Sequence, residues 1–125
     1  MARVRGKDTG PEMRVRRLVH EMGYRYHLHR RNLPGVPDLA FSSRRKVIFV
    51  HGCWWHGHDC PGGRKRPKTN EGYWLPKLER NRTRDAANQA ELRARGWDAL
   101  VLWECQLKDT AGLRRRIGDF LEGRV

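Results

Sequence analysis

Long apolar runs are missing from this chain. No stretch approaches the roughly 20 consecutive apolar residues that a membrane-spanning helix needs, and the opening MARVRGKDTG has no apolar signal core. Cytoplasmic residence is the expectation. Cysteine is scarce at three. Three thiols cannot pair completely, and a reducing compartment disfavours disulfides, so a disulfide framework is excluded. Acidic residues are the second shortage: 14 Asp+Glu stand against 27 Lys+Arg, leaving a formal charge of +13. Such an excess points to a polyanionic partner, most simply nucleic acid. At 125 residues, the length suits one domain with a modest core.

What cysteine there is lies in an unusual place. Val50-His51-Gly52-Cys53-Trp54-Trp55-His56-Gly57-His58-Asp59-Cys60 holds two of the three cysteines, three of the six histidines and two of the five tryptophans. Thiolates and imidazoles this close suit a metal better than a core. Cys53, His58 and Cys60, joined by Cys105 beyond the next apolar strand, make a Cys3His set, the number that a structural zinc takes. The spacing matches no common zinc finger, and buried, metal-free cysteines are the alternative.

The remaining pattern reads as α-β-β-β-α-β-α. Residues 1–8 look like a flexible basic arm, with a single domain over 9–125. Thr9-Gly10-Pro11-Glu12 reads as a helix start, with Glu12 placed as in a capping box. Val15, Leu18, Val19 and Met22 follow at helical spacing up to Gly23. Tyr24, Tyr26 and Leu28 alternate with polar residues as a half-buried strand. Leu33-Pro34-Gly35-Val36-Pro37 turns into a short strand, Asp38–Phe41. Ser42–Arg45 is a tight connection, and Lys46–Val50 is the most convincing buried strand. After a cationic loop bearing Arg64, Lys65, Arg66 and Lys68, a helix starts near Gly72–Trp74. Its inward face is expected to carry Leu75, Leu78, Arg82, Asp85, Ala86, Gln89 and Leu92. Trp97–Trp103 is a further strand, and Asp109 or Thr110 caps a last helix with Leu113, Ile117, Phe120 and Leu121. The expected fold is a small mixed sheet flanked by helices.

Asp38 is expected where the Val50 strand ends. Magnesium prefers oxygen ligands and keeps several waters, so one aspartate, a main-chain carbonyl, a phosphate oxygen and waters would satisfy it. His51 and His56 flank Cys53 and are not needed for zinc if His58 is; an imidazole suits the activation of an attacking water. Simpler roles stay open: a turn cap for Asp38, a helix cap for Glu12 (which does not exclude a second role), core packing for each tryptophan alone. His20, His27 and His29 have no partner signal and are expected at the surface or on phosphates.

The chain resembles the very short patch repair (Vsr) endonucleases of the PD-(D/E)XK superfamily. The resemblance rests on Pro11-Glu12, on Leu33 to Asp38, on Val47 to Cys60, on Trp74-Leu75-Pro76-Lys77-Leu78, on Asn81 with Asp85, and on Gly96-Trp97 with Val101 to Cys105. It implies a restriction-endonuclease-like core and a magnesium-dependent enzyme with a structural zinc. The implied activity is nicking of double-stranded DNA 5′ of the thymine in a T·G mismatch, of the kind left by deamination of 5-methylcytosine. It further implies Asp38 and the Val50 carbonyl as magnesium ligands and His56 as the group activating water. His51 and Glu12 would lie near the scissile phosphate, with Asp85 as a supporting acid. Cys53, His58, Cys60 and Cys105 would hold zinc, and Trp54, Trp55 and Trp74 would form an aromatic wedge in the DNA. A monomer acting at the bacterial nucleoid, with mismatch-repair proteins as further partners, completes the expectation. Tryptophan stands at 54 where the family more often has phenylalanine, and valine at 50 where some members have threonine. The acid and lysine that usually follow the aspartate strand in the superfamily are absent, as in the family. Two rivals stay open: a zinc-stapled DNA-binding module without activity, and a defence-associated nuclease of the same fold not strict for T·G.

Overall fold

The computed structural model describes residues 10–53 and 71–123. The basic arm over 1–8, Thr9 and the cationic loop with Arg64, Lys65, Arg66 and Lys68 lie outside the described residues.

The first helix, α1 (Gly10–Glu21), forms because Val15, Leu18 and Val19 recur on one face, and all three are buried. Gly23, at φ +89, ends it and takes the left-handed conformation that a side chain resists. Next come β1 (His27–Leu28), β2 (Leu39–Phe41) and β3 (Lys46–His51), then α2 (Glu71–Ala94), β4 (Asp98–Trp103) and α3 (Thr110–Glu122). The sheet order is β1-β2-β3-β4, with β1·β2 and β2·β3 antiparallel and β3·β4 parallel. The parallel pair requires a crossover, and α2 lies within it. The expected mixed sheet flanked by helices is what forms.

Side-chain alternation splits the core in two. Leu39, Phe41, Ile48 and Leu102 point to one face, where Val15, Leu18, Val19, Leu113, Ile117 and Leu121 of α1 and α3 cover them. Ala40, Val47 and Phe49 point to the other, against Leu92 of α2 with Ala99 and Val101 half-buried beside them. Covered on both faces, β3 reads as a continuous apolar run instead of an alternating one. Each fully buried leucine or isoleucine contributes about 1.5–3 kcal/mol.

Two local expectations are corrected. The strand expected over Tyr24–His29 shrinks to two residues, because β2 offers only Leu39 and Ala40 as partners. Tyr24 and Tyr26 do pack on the core, but Leu28 is 41% exposed. On α2, Leu75, Arg82 and Ala86 are exposed, and the inward stripe runs through Leu78, Asn81, Asp85, Asn88, Gln89 and Leu92. Asp85, Asn88 and Gln89 border a cleft with Gly35 and Phe49, so polar residues are the ones turned inward over part of the helix's length. The cap of α3 is Asp109, whose carboxylate accepts from the Gly112 N–H at 3.1 Å. At its other end, Lys46 Nζ donates to the Phe120 carbonyl at 2.5 Å and Arg44 Nη1 to the Leu121 carbonyl at 2.9 Å. Cations are placed at the carbonyl end of the helix, where its dipole favours them.

Candidate active site

Asp38 immediately precedes β2, at the end of the sheet where β3 terminates. Antiparallel register sets Leu39 opposite Ile48, and the Val50 N–H donates to Asp38 Oδ2 at 2.7 Å. Glu12, one turn into α1, is 2% exposed. Its Oε2 accepts from Arg16 Nη2 at 2.8 Å and from His29 Nε2 at 2.7 Å. Carboxylate oxygens of Glu12 and Asp38 and a ring nitrogen of His29 all lie within 4.8 Å of one another.

Burial pushes the Asp38 carboxyl up from about 3.8 to about 7. The Val50 N–H works against that rise, the neighbouring Glu12 carboxylate adds to it, and the Arg16 guanidinium lowers it slightly. Two clustered carboxyls, one of which resists ionisation because it is desolvated, form a donor set suited to a hard divalent cation. A hard divalent cation would therefore fit the residues present, with Asp38 and Glu12 facing it.

A pH dependence follows. With its carboxyl at about 7 when folded and near 3.8 when unfolded, Asp38 contributes stability that is fully present below about pH 4. That stability is lost as pH rises through about 7. A divalent ion favours the ionised form and offsets the loss. The rise in melting temperature on adding magnesium is thus expected to be larger at pH 8 than at pH 5.5, by several degrees. Scanning calorimetry at both pH values checks this; equal rises would contradict it.

Beside Asp38 opens a cavity of about 370 Å³ lined by Val50 and His51 of β3 and by Arg84, Asp85 and Asn88 of α2. The structure thereby brings Asp38, Val50, His51 and Asp85 to one cleft, with Glu12 at the back of Asp38. His51 is 6% exposed. Its ring meets Trp103 edge-on at 5.1 Å and Phe49 at 5.6 Å, which fixes its orientation. Gly35, at φ +78, lets the backbone press on α2: a Cβ there would sit 3.1 Å from Phe49 Cε1 and 3.2 Å from Asn88 Cβ. Val36 also holds a positive φ of 47, a strained state for a β-branched residue. A larger groove of about 790 Å³, lined by His20, Tyr24, Tyr26 and Ser42 among others, has no carboxylate in its wall and cannot do the same chemistry.

Of the cysteines, Cys53 and Cys105 follow the parallel strands β3 and β4. The Cys105 N–H donates to Cys53 Sγ at 3.4 Å. Cys53 is buried and Cys105 exposed. His58 and Cys60, the other two expected zinc ligands, lie outside the described residues, as do His56, Trp54 and Trp55. Trp74 is half-buried in the first turns of α2, edge-on to Tyr73 at 4.8 Å, with Lys77 Nζ 5.5 Å above the Tyr73 ring and 5.8 Å above that of Trp74.

Sequence reasoning missed Arg16, His29, Arg84 and Asn88. Arg16 was legible as an i,i+4 partner of Glu12. His29 was not, because its place beside Glu12 depends on the β1–β2 register. Arg84 and Asn88 carry no signal until the inward stripe of α2 is known.

The mixed sheet between helices has a counterpart among solved structures. The catalytic domain of the homing endonuclease I-Bth0305I superposes with a TM-score of 0.61, at 20% identity, covering 90% of this chain and 94% of that one. A family model described as DNA mismatch endonuclease Vsr matches residues 1–62. The type II nicking enzyme V.XorIIP of Xanthomonas oryzae pv. oryzae is 51% identical over 122 residues, 98% of this chain and 89% of that protein. The DNA mismatch endonuclease Vsr of Escherichia coli is 37% identical over 108 residues, 86% of this chain and 69% of that protein. The fold is that of a nuclease. The chain belongs to the Vsr family of DNA endonucleases.

Proposed function

We propose that the protein is a magnesium-dependent endonuclease that nicks one strand of double-stranded DNA 5′ of the thymine in a T·G mismatch. The observation that carries the hydrolytic part is the pairing of buried Glu12 with half-buried Asp38, which lines a cleft together with His51 and Asp85. Magnesium, when bound there, neutralises charge on the scissile phosphate. Asp38 and the Val50 carbonyl hold the ion. His51, buried and fixed by its two ring neighbours, keeps an imidazole beside the phosphate. Glu12 faces the same point from α1, and Asp85 supports from α2. His56 takes the proton from the attacking water. Cys53, His58, Cys60 and Cys105 bind a structural zinc that ties the ends of β3 and β4 together; the Cys105 N–H donating to Cys53 Sγ supports the pairing.

Action at a mismatch is supported by the tryptophans and by the Escherichia coli relative, a DNA mismatch endonuclease; T·G is the mismatch that the family resemblance implies. Trp54, Trp55 and Trp74 insert as a wedge. Opening a base step costs a few kcal/mol, least beside a mismatch, and each stacked base recovers about 1–3 kcal/mol. The cations of the loop, Arg64, Lys65, Arg66 and Lys68, hold the phosphates. Duplexes of identical sequence, differing only in one T·G pair, test this. The mismatched duplex is expected to be nicked at least about 100-fold faster, 5′ of the thymine, as stacking differences of a few kcal/mol would give. Equal nicking of both would leave a nuclease without T·G strictness; binding without nicking of either would leave a DNA-binding module.

A further inference from the structure

His29 is not on the surface of the molecule in the way its polar neighbours are. Its backbone N–H donates to the Asp38 carbonyl at 3.2 Å, one step past the Leu28↔Leu39 pair of the β1–β2 ladder. The residue then adopts φ 48, a left-handed conformation that costs a non-glycine residue on the order of 1 kcal/mol. Strain of this kind persists where the surroundings impose it, commonly at functional sites. The side chain is 16% exposed, and its Nε2 lies 2.7 Å from Glu12 Oε2.

Glu12 Oε2 thus takes two nitrogen donors from different elements. Arg16 sits on the same helix, four residues on, and its long side chain moves with α1. His29 comes from the hairpin that carries Asp38. Of these two donors, it is the second that comes from the hairpin bearing the other carboxylate. A ring nitrogen 2.7 Å from Oε2 and engaged with it acts on the carboxylate.

We infer that His29 is a positioning residue for the cation site, which, together with Arg16, holds Glu12 in the rotamer that faces Asp38. The inference rests on the proposed function and names a residue to which the family resemblance gives no role. Partners that orient ligating carboxylates typically change metal affinity by 10–100-fold when removed.

The test is calorimetric titration of Mn2+ into the zinc-loaded protein, with wild type, His29→Ala, His29→Gln and Asp38→Asn side by side. His29→Ala is expected to weaken Mn2+ binding about tenfold or more, while metal-free DNA binding stays within about twofold. His29→Gln, whose amide N–H can reach the same oxygen, is expected to recover most of the affinity. Nicking by His29→Ala should be deficient at low Mn2+ and restored at high Mn2+, a split that a loss of folded protein cannot produce. Unchanged Mn2+ affinity in His29→Ala, or no recovery in His29→Gln, overturns the inference. If wild type binds Mn2+ and Asp38→Asn does not, such a failure concerns His29 alone. If wild type binds no Mn2+, the metal-dependent reading falls together with the inference.

Discussion

Asp38→Asn is expected to reduce the nicking rate by about three orders of magnitude or more, while binding to a T·G duplex changes little. The side chain keeps its shape and its amide oxygen still accepts from the Val50 N–H, now seen at 2.7 Å, so the hairpin should hold. What disappears is the negative charge at the cation site. Removing a single group that stabilises developing charge commonly costs 10²–10³ in rate, and loss of the ion removes neutralisation and orientation together. A thousandfold loss corresponds to about 4 kcal/mol of barrier. Stability should not fall, and below neutral pH it should be close to that of wild type, because the buried carboxyl is itself largely protonated there. Single-turnover nicking and a binding titration on the same duplex measure the two halves. Retained nicking would show that Asp38 is only a turn residue.

Removal of zinc is expected to have the largest effect on stability. Beyond β4 the chain rejoins the core at Leu107, Leu113, Ile117 and Leu121, but Cys105, just past the strand, is exposed. Cys53 and Cys105 leave adjacent parallel strands whose last pair is His51 with Trp103. A metal joining them would restrain the end of the sheet that carries His51. Structural zinc in small domains contributes on the order of 10 kcal/mol of folding free energy, and even a fraction of that shifts a domain of this size by at least about 10 °C. A strong chelator should lower the melting temperature by that amount or abolish the cooperative transition, and Cys105→Ser should do much the same. A protein purified without stoichiometric zinc, melting identically before and after chelation, would remove the Cys3His site.

The sequence made much of this architecture legible, and the reasons are local. The buried run Lys46–Val50 and the terminator Gly23 each declare themselves through periodicity or a residue with one conformational use, while the cap of α3 narrows in sequence to Asp109 or Thr110 and is Asp109. β1 was overestimated, since alternation from Tyr24 to His29 persists beyond the two residues that find partners in β2. The face of α2 was misjudged because its inward stripe mixes Leu78 and Leu92 with Asn81, Asp85 and Asn88. Polar residues line it where it borders a cleft, and apolar periodicity cannot report that. Within the site, Asp38 and Val50 adjoin because a short hairpin leaves no other geometry. His29 escaped notice because its partner, Glu12, is brought near by the packing of α1 on the sheet, a contact with no sequence signature.

Anomalous scattering from a crystal grown or soaked with Mn2+ tests most directly whether Asp38 and Glu12 share a divalent ion beside His51. One strong peak is expected within about 2.5 Å of an Asp38 carboxylate oxygen, on the side facing Glu12. A fully occupied peak elsewhere, or none at a Mn2+ concentration that supports nicking, would contradict it.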